Sequence, residues 1–305
     1  MLCAPMTEPT TPIGFAGRLR FFAADIKLAH TVFAMPFAIL ATFLAAGGWP
    51  RWGILLLIVA CMVFARTTAM AANRLFDARL DRLNPRTQNR AIPAGRLSAR
   101  FYLGAIVLCI IGFELSTAGF RVFFHNPWPL ALSVPVLAYL CAYPLLKRFT
   151  LVCHYYLGLA LGLAPACAWV ATASRLTWEP AIMGVFILGW TAGFDILYAC
   201  QDYASDLQTG VFSVPARLGI ARALWVARFT HLIAWSLLVT LWLISPQLHL
   251  FFAAATLVAG LLLIVEHALV KPADLSRLNL AFATINGVIS LLLGLAGMAD
   301  VLAGK

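Results

Sequence analysis

Charge is what this sequence has least of. Asp, Glu, Lys and Arg make up 11% of its 305 residues, against about 25% in an average soluble domain. That scarcity excludes an ordinary water-soluble fold. With 62% hydrophobic residues, it places the chain in a membrane. Acidic residues are the scarcer sign, 12 against 22 Lys and Arg, for a formal charge of +10. A basic excess can signal nucleic acid. In a membrane chain it arises more often from Lys- and Arg-rich cytoplasmic loops, so no nucleic-acid partner is expected. None of the seven cysteines forms a C-x-x-C pair and most lie inside apolar runs, which excludes disulfides and cysteine metal sites. Residues 1–24 lack the compact apolar core and cleavage site of a signal peptide. The first span is therefore expected to act as its own insertion signal. There is no soluble domain and no long linker.

What is present is a series of apolar runs, at about 28–46, 53–72, 101–118, 128–143, 151–172, 179–200, 223–244, 248–270 and 279–302. Each suits a bilayer core about 30 Å thick, which needs about 20 apolar residues per helix. The expected fold is all-α, a polytopic membrane bundle of about nine transmembrane helices. Residues 1–20, rich in Pro and Thr at their start, read as a disordered tail, and 21–305 as a single domain. The loops after the second, fourth, sixth and eighth runs hold most of the Lys and Arg, seven of them from Arg74 to Arg100. The positive-inside bias therefore puts these loops and the N-terminus in the cytoplasm. For a bacterial protein that means the inner (plasma) membrane.

The chain is organised around Asn73, Asp77 and Asp81, spaced four apart at the end of the second run. On a helix they share one face, with neighbouring Cβ atoms roughly 5–6 Å apart. Far downstream, Asp195, Tyr198, Asp202 and Asp206 repeat the pattern at spacings of three, four and four. Carboxylates so arranged repel one another unless a cation sits between them. Mg²⁺ takes oxygen ligands and commonly bridges one or two carboxylates to a substrate phosphate. Two acidic faces suit two Mg²⁺ ions around one diphosphate, with Asp77, Asp81, Asp202 and Asp206 as ligands. Arg86, Arg90, Lys147 and Arg148 lie near these motifs and could hold the leaving diphosphate. An allylic carbocation left behind needs a dry apolar pocket, which the spans supply. Arg66, two turns before Asn73, sits inside a span, where a charge is costly and usually faces a cavity.

Together these residues resemble the UbiA superfamily of intramembrane prenyltransferases. The resemblance rests on Asn73-x₃-Asp77-x₃-Asp81, the Arg86–Gly95 stretch, Tyr143-Pro-x-x-Lys147-Arg148, and Asp195-x-x-Tyr198-x₃-Asp202-x₃-Asp206 leading to Gly210 and Ser213. It covers nearly the whole chain. It implies a helical bundle around a central cavity, two Mg²⁺ ions, a polyprenyl diphosphate donor, and donor or acceptor contacts from Tyr143 and Tyr198. The 26–37 stretch, Glu266-His267-Ala268-Leu269-Val270 and Asn286 are similar to the 4-hydroxybenzoate polyprenyltransferase branch of ubiquinone and menaquinone biosynthesis. That branch implies an aromatic acid acceptor whose carboxylate meets Arg66. The second acidic motif is leaner than in some relatives, with Ala204-Ser205 where they carry further acids.

Each residue also has a plainer reading. Asp195 can hold Tyr198 or an Arg rather than act on a ligand. Tyr198 can be an interfacial aromatic, and Lys147 and Arg148 topology charges. His30 reads as a packing residue rather than a base. Glu266 is expected to pair with a loop cation such as Lys271, and the small residues of 157–162 to permit close helix contact. A dihydroxynaphthoate or haem remains an alternative acceptor. A transporter is the rival of another class. It should spread charges along a path through the membrane, whereas here nearly all the acids in spans cluster at one side and one depth, with Glu114 an exception.

Overall fold

The second apolar run does not stop where its hydropathy does. In the computed structural model, which describes residues 14–27 and 33–304, it belongs to one helix of 32 residues, α3 (Trp52–Leu83). At 1.5 Å per residue this rod is about 48 Å long, well beyond a bilayer core. Its polar end carries Asn73, Asp77 and Asp81 on one unbroken helix. Arg, Leu, Ala and Asp fill that end, and all but Asp are good helix formers.

The other long helices are α4 (Ala99–Phe124), α5 (Trp128–Leu146), α6 (Cys153–Ala173), α7 (Trp178–Ala199), α10 (Ile220–Ile244), α11 (Leu250–Leu269) and α12 (Asn286–Ala303). The shorter elements are α1 (Phe15–Asp25), α2 (Met35–Ala46), α8 (Tyr203–Thr209) and α9 (Val214–Leu218). Eight helices among the described residues are long and apolar enough to cross a membrane, and α2 is a shorter apolar one. All nine expected runs thus correspond to helices. The first is α2, preceded by residues 28–32, which lie outside the described residues together with His30. The tail expected over 1–20 lies outside them up to residue 13. From Phe15 the chain is helical, because its Ala, Leu, Arg and Phe have no Pro or Thr among them.

The core lies between α2, α7, α10, α11 and α12, around Phe37, Phe186, Trp190, Leu238, Phe252 and Leu293. Outward faces carry exposed Leu56, Leu108, Leu115, Leu232 and Ile264, an apolar surface suited to lipid. α6 and α7 touch backbone to backbone. A Cβ at Gly158 would run into the Leu188 carbonyl, and one at Gly162 into that of Gly184. Gly158→Val should therefore force the two helices apart and destabilise the bundle by about 1–3 kcal/mol or more. Gly104 in α4 has open space at its Cβ, so Gly104→Val is the matched control. Thermal unfolding of both variants in detergent checks this. Unchanged midpoints in both would show that the close approach carries no stability.

Two acids fall in unexpected places. Glu266 does not pair with Lys271. It is fully buried and accepts from Asn286 Nδ2 at 2.7 Å, because it faces α12 rather than the loop. Lys271 instead forms a backbone bridge with Asp274. Glu114 accepts from Ser133 Oγ of α5 at 2.8 Å.

Candidate active site

A cavity of about 430 Å³ runs through the bundle from the ends of α3 and α7 to the far ends of α4 and α6. Its deep wall is apolar, with Phe113 and Phe120 of α4, Leu132 and Val136 of α5, and Leu161 and Ala164 of α6. Every site residue expected from the sequence except Arg148 lines the cavity, most of them at its mouth and Arg66 deeper. Arg148 turns away and donates from Nη2 to the Phe76 carbonyl of α3 at 2.6 Å.

The two acidic faces meet across this mouth. The second is not one regular helix. After α7 the chain tightens into a 3₁₀ turn, Cys200–Asp202, before α8 begins. Even so, Asp195, Tyr198, Asp202 and Asp206 all reach the cavity. Each of the four expected ligands has a partner. Lys147 Nζ lies 2.5 Å from Asp77 Oδ2. Arg90 Nη1 contacts both oxygens of Asp81, at 2.7 and 2.8 Å. Arg86 grips Asp202 in a fork, Nε to Oδ1 at 2.8 Å and Nη2 to Oδ2 at 2.6 Å. Ser213 Oγ donates to Asp206 Oδ2 at 2.6 Å. Burial lowers the Arg86 guanidinium pKa, but the bonds to Asp202 outweigh it and hold it above its ordinary value.

The first face is oriented from behind. Arg74, buried at 3% exposure, donates from Nη1 to Asn73 Oδ1 at 2.9 Å and from Nε and Nη2 to the Asp25 carbonyl. Asn73 Nδ2 is thereby presented to Asp77 Oδ2 at 2.9 Å. Asp25 in turn accepts from the Ala91 N–H and from Tyr102. These contacts pin α1 and the arginine-rich loop to α3. Tyr198 is no isolated belt aromatic. Its hydroxyl accepts from Arg86 Nη1 at 3.4 Å and Lys27 Nζ at 3.5 Å.

Among the described residues the partner of Asp195 is a histidine, not the Tyr198 or Arg expected. His154 Nδ1 lies 2.7 Å from Asp195 Oδ2, and the Val214 N–H donates to His154 Nε2 at 3.2 Å. An Nε2 that accepts leaves the proton on Nδ1, so His154 donates to the carboxylate. Sequence spacing had no way to find His154, which stands alone at the start of α6. Asn84, which donates to Asp202 Oδ1 at 2.8 Å, was equally invisible. Its one signal is its place before Pro85 at the end of α3.

The residues suit a hard divalent cation. Asp77 Oδ1 is buried and has no hydrogen-bond partner, and leaving such an acceptor unmade costs about 1–3 kcal/mol. Among the described residues no three His, Cys, Asp or Glu side chains converge on one point. Mg²⁺ does not need them to, since one or two carboxylates with substrate phosphates commonly complete its shell.

Residues 34–292 match the UbiA prenyltransferase family. The chain belongs to that family. As a UbiA prenyltransferase it is 32% identical to 4-hydroxybenzoate octaprenyltransferase of Vibrio vulnificus (strain CMCP6), over 76% of this chain and 79% of the relative. It is 30% identical to the 4-hydroxybenzoate octaprenyltransferase of Nitrosomonas europaea, over 90% and 92%. Against that of Vibrio campbellii the match spans 59% of this chain and 61% of the relative. The apo structure of a UbiA homolog from Aeropyrum pernix K1 superposes with a TM-score of 0.80 at 28% identity, covering 90% of this chain and 99% of the other. A UbiA homolog from Archaeoglobus fulgidus bound to GPP and Mg²⁺ shares the fold at a TM-score of 0.70 and 18% identity, over 92% and 99%.

For this UbiA prenyltransferase the His154 geometry makes a prediction. In His154→Gln an amide can still accept from Val214 and donate to Asp195, so turnover should stay near wild type. His154→Leu strands both partners and should lower kcat about tenfold, ~1.4 kcal/mol on the barrier, with the donor KM unmoved. Steady-state kinetics of the two variants check it. Equal rates would reduce His154 to packing.

Proposed function

We propose that the chain transfers a polyprenyl group from its diphosphate to an aromatic acid, 4-hydroxybenzoate first among them, in the making of a quinone. The observation that carries this reading is Arg66. It lines the cavity on α3, about 10 Å up the rod from Asn73, and its buried Nε has no hydrogen-bond partner. A buried cation facing an apolar chamber calls for an anion from the ligand, and a small aromatic carboxylate fits. The names of the Vibrio and Nitrosomonas relatives support the acceptor. The Archaeoglobus homolog bound to GPP and Mg²⁺ supports the donor and the metal.

Asp77 and Asp81 on one face and Asp202 and Asp206 on the other would hold Mg²⁺, two ions in this reading, which neutralises the diphosphate and improves it as a leaving group. Lys147, Arg86 and Arg90 would bind the diphosphate oxygens and stabilise the charge that grows as the allylic C–O bond breaks. The apolar wall keeps water from the cation and leaves room for the polyprenyl tail. The ring carbon ortho to the acceptor hydroxyl then bonds to the cation, and its proton passes to Asp195, held in place by His154. A single domain over 21–305 would sit in the bacterial plasma membrane, with its N-terminus and acidic mouth in the cytoplasm.

One panel tests the reading: purified protein, Mg²⁺, a labelled prenyl diphosphate, and 4-hydroxybenzoate, a dihydroxynaphthoate or their decarboxylated analogues. Prenylation of 4-hydroxybenzoate above the rest is expected. Preference for the dihydroxynaphthoate moves the acceptor, and preference for the analogues overturns the aromatic-acid assignment.

A further inference from the structure

The Glu266-His267 pair and Asn286 take no part in the chemistry above, yet they build a polar cluster shut inside the bundle. Glu266 and Asn286 are 0% exposed and His231 2%. Trp190 of α7 donates its indole N–H to Asn286 Oδ1 at 2.7 Å, and Asn286 Nδ2 donates to Glu266 Oε1 at 2.7 Å. An indole N–H can only donate, so these two bonds fix which way the amide of Asn286 points. His231 of α10 donates from Nε2 to the Trp190 carbonyl at 3.0 Å. Its Nδ1 lies 3.0 Å from His267 Nε2 and 3.6 Å from Glu266 Oε2. Four helices, α7, α10, α11 and α12, meet in this one cluster.

Directly before Asn286 the chain widens into a π turn, Leu280–Ile285. Such turns are rare and recur at functional sites. Here the Asn286 backbone N–H points to the Ala283 carbonyl, not four residues back as in an α-helix. The Asn286 side chain takes over the vacated position, with Nδ2 3.3 Å from the Phe282 carbonyl. The turn carries the Phe282 ring onto Tyr198, with centroids 4.2 Å apart and planes 30° apart. Phe194 and Phe33 meet Phe282 edge-on at 5.4 and 5.5 Å. All four rings line the cavity beside its charged mouth.

We infer that Glu266 and Asn286 are positioning residues that hold the π turn in shape and so set Phe282 against Tyr198, forming the aromatic wall on which the acceptor ring packs. This rests on the reading of the cavity as the site of an aromatic acceptor. Glu266 fixes Asn286, Asn286 fixes the Phe282 carbonyl, and the Phe282 ring is the only one of the three to reach the ligand.

The test is a double-variant cycle on the full chain in lipid nanodiscs, with acceptor KM and donor KM measured separately. Phe282→Ala and Asn286→Ala should each raise the acceptor KM about tenfold and leave the donor KM unchanged. The double variant should be no worse than either alone, because both act through one ring. Multiplied effects in the double variant overturn the inference. The conservative Glu266→Gln keeps the oxygen that faces Asn286 and should restore wild-type values, whereas Glu266→Leu should behave as Asn286→Ala does. If Asn286→Ala does not fold, the Glu266 pair decides, and a wild-type acceptor KM in Glu266→Leu overturns the inference. Failure of the wider reading looks different, since the wild-type chain would then prenylate no aromatic acid.

Discussion

Asp81→Ala should transfer no detectable prenyl group, and the wild-type chain in excess EDTA should behave the same way. Asp77 and Asp81 sit one helical turn apart on α3 and face the basic groups that would receive a diphosphate. Losing a single electrostatic contact to the charge developing in a transition state costs about 10²–10³-fold in rate. Asp81→Ala does more than that. On the proposed reading it removes a metal ligand, and it also releases Arg90, which holds both Asp81 oxygens. Asp81→Asn separates the two effects, since it keeps a carbonyl oxygen for Arg90 while giving up the charge. Product formation from a labelled prenyl diphosphate, with thermal unfolding to establish that the variants fold, is the measurement. Normal turnover in EDTA would remove the metal from the mechanism.

Arg66→Ala should discriminate between acceptors rather than abolish chemistry. Its guanidinium lines the chamber beyond the acidic mouth. Truncating one partner of a buried, hydrogen-bonded charge pair costs about 2–5 kcal/mol, so the KM for 4-hydroxybenzoate should rise about a hundredfold. The decarboxylated analogue has no carboxylate to lose, and its kinetics should change little. Diphosphate binding should be untouched. If acid and analogue suffer equally, Arg66 is not the carboxylate partner.

How much of this could be read from the residues alone differs from element to element. Hydropathy located the spans because lipid leaves a helix no other way to satisfy its backbone. It ended the second run at 72, since six of the ten residues from Asn73 to Arg82 are polar or charged, yet polarity does not end a helix and α3 continues to Leu83. The acidic and basic residues of the mouth were legible because a charge near a membrane has few structural uses. Their pairing was not. Arg86 with Asp202 and His154 with Asp195 join parts of the chain far apart in sequence, and no local spacing encodes such contacts. The spacing of Asp195 points to Tyr198 or an Arg, whereas in the fold it meets His154, a lone histidine on another helix. Sequence proximity pairs Glu266 with the nearest Lys along the chain, whereas in the fold it is buried and accepts from the amide of Asn286 on the next helix.

α3 also acts as a ruler. Arg66, Asn73, Asp77 and Asp81 are marks on one rigid rod whose hydrogen-bond ladder has no break between them. The interval from Arg66, the proposed carboxylate anchor, to Asp77 and Asp81, the proposed metal-binding end, is therefore set by helix pitch, not by any loop. A ligand is gauged by length before it is judged by chemistry. The opposite side of the mouth is assembled from a 3₁₀ turn, the seven-residue α8 and the five-residue α9. On the proposed function, any widening of the mouth for a bulky diphosphate is expected on that jointed side rather than along the rod.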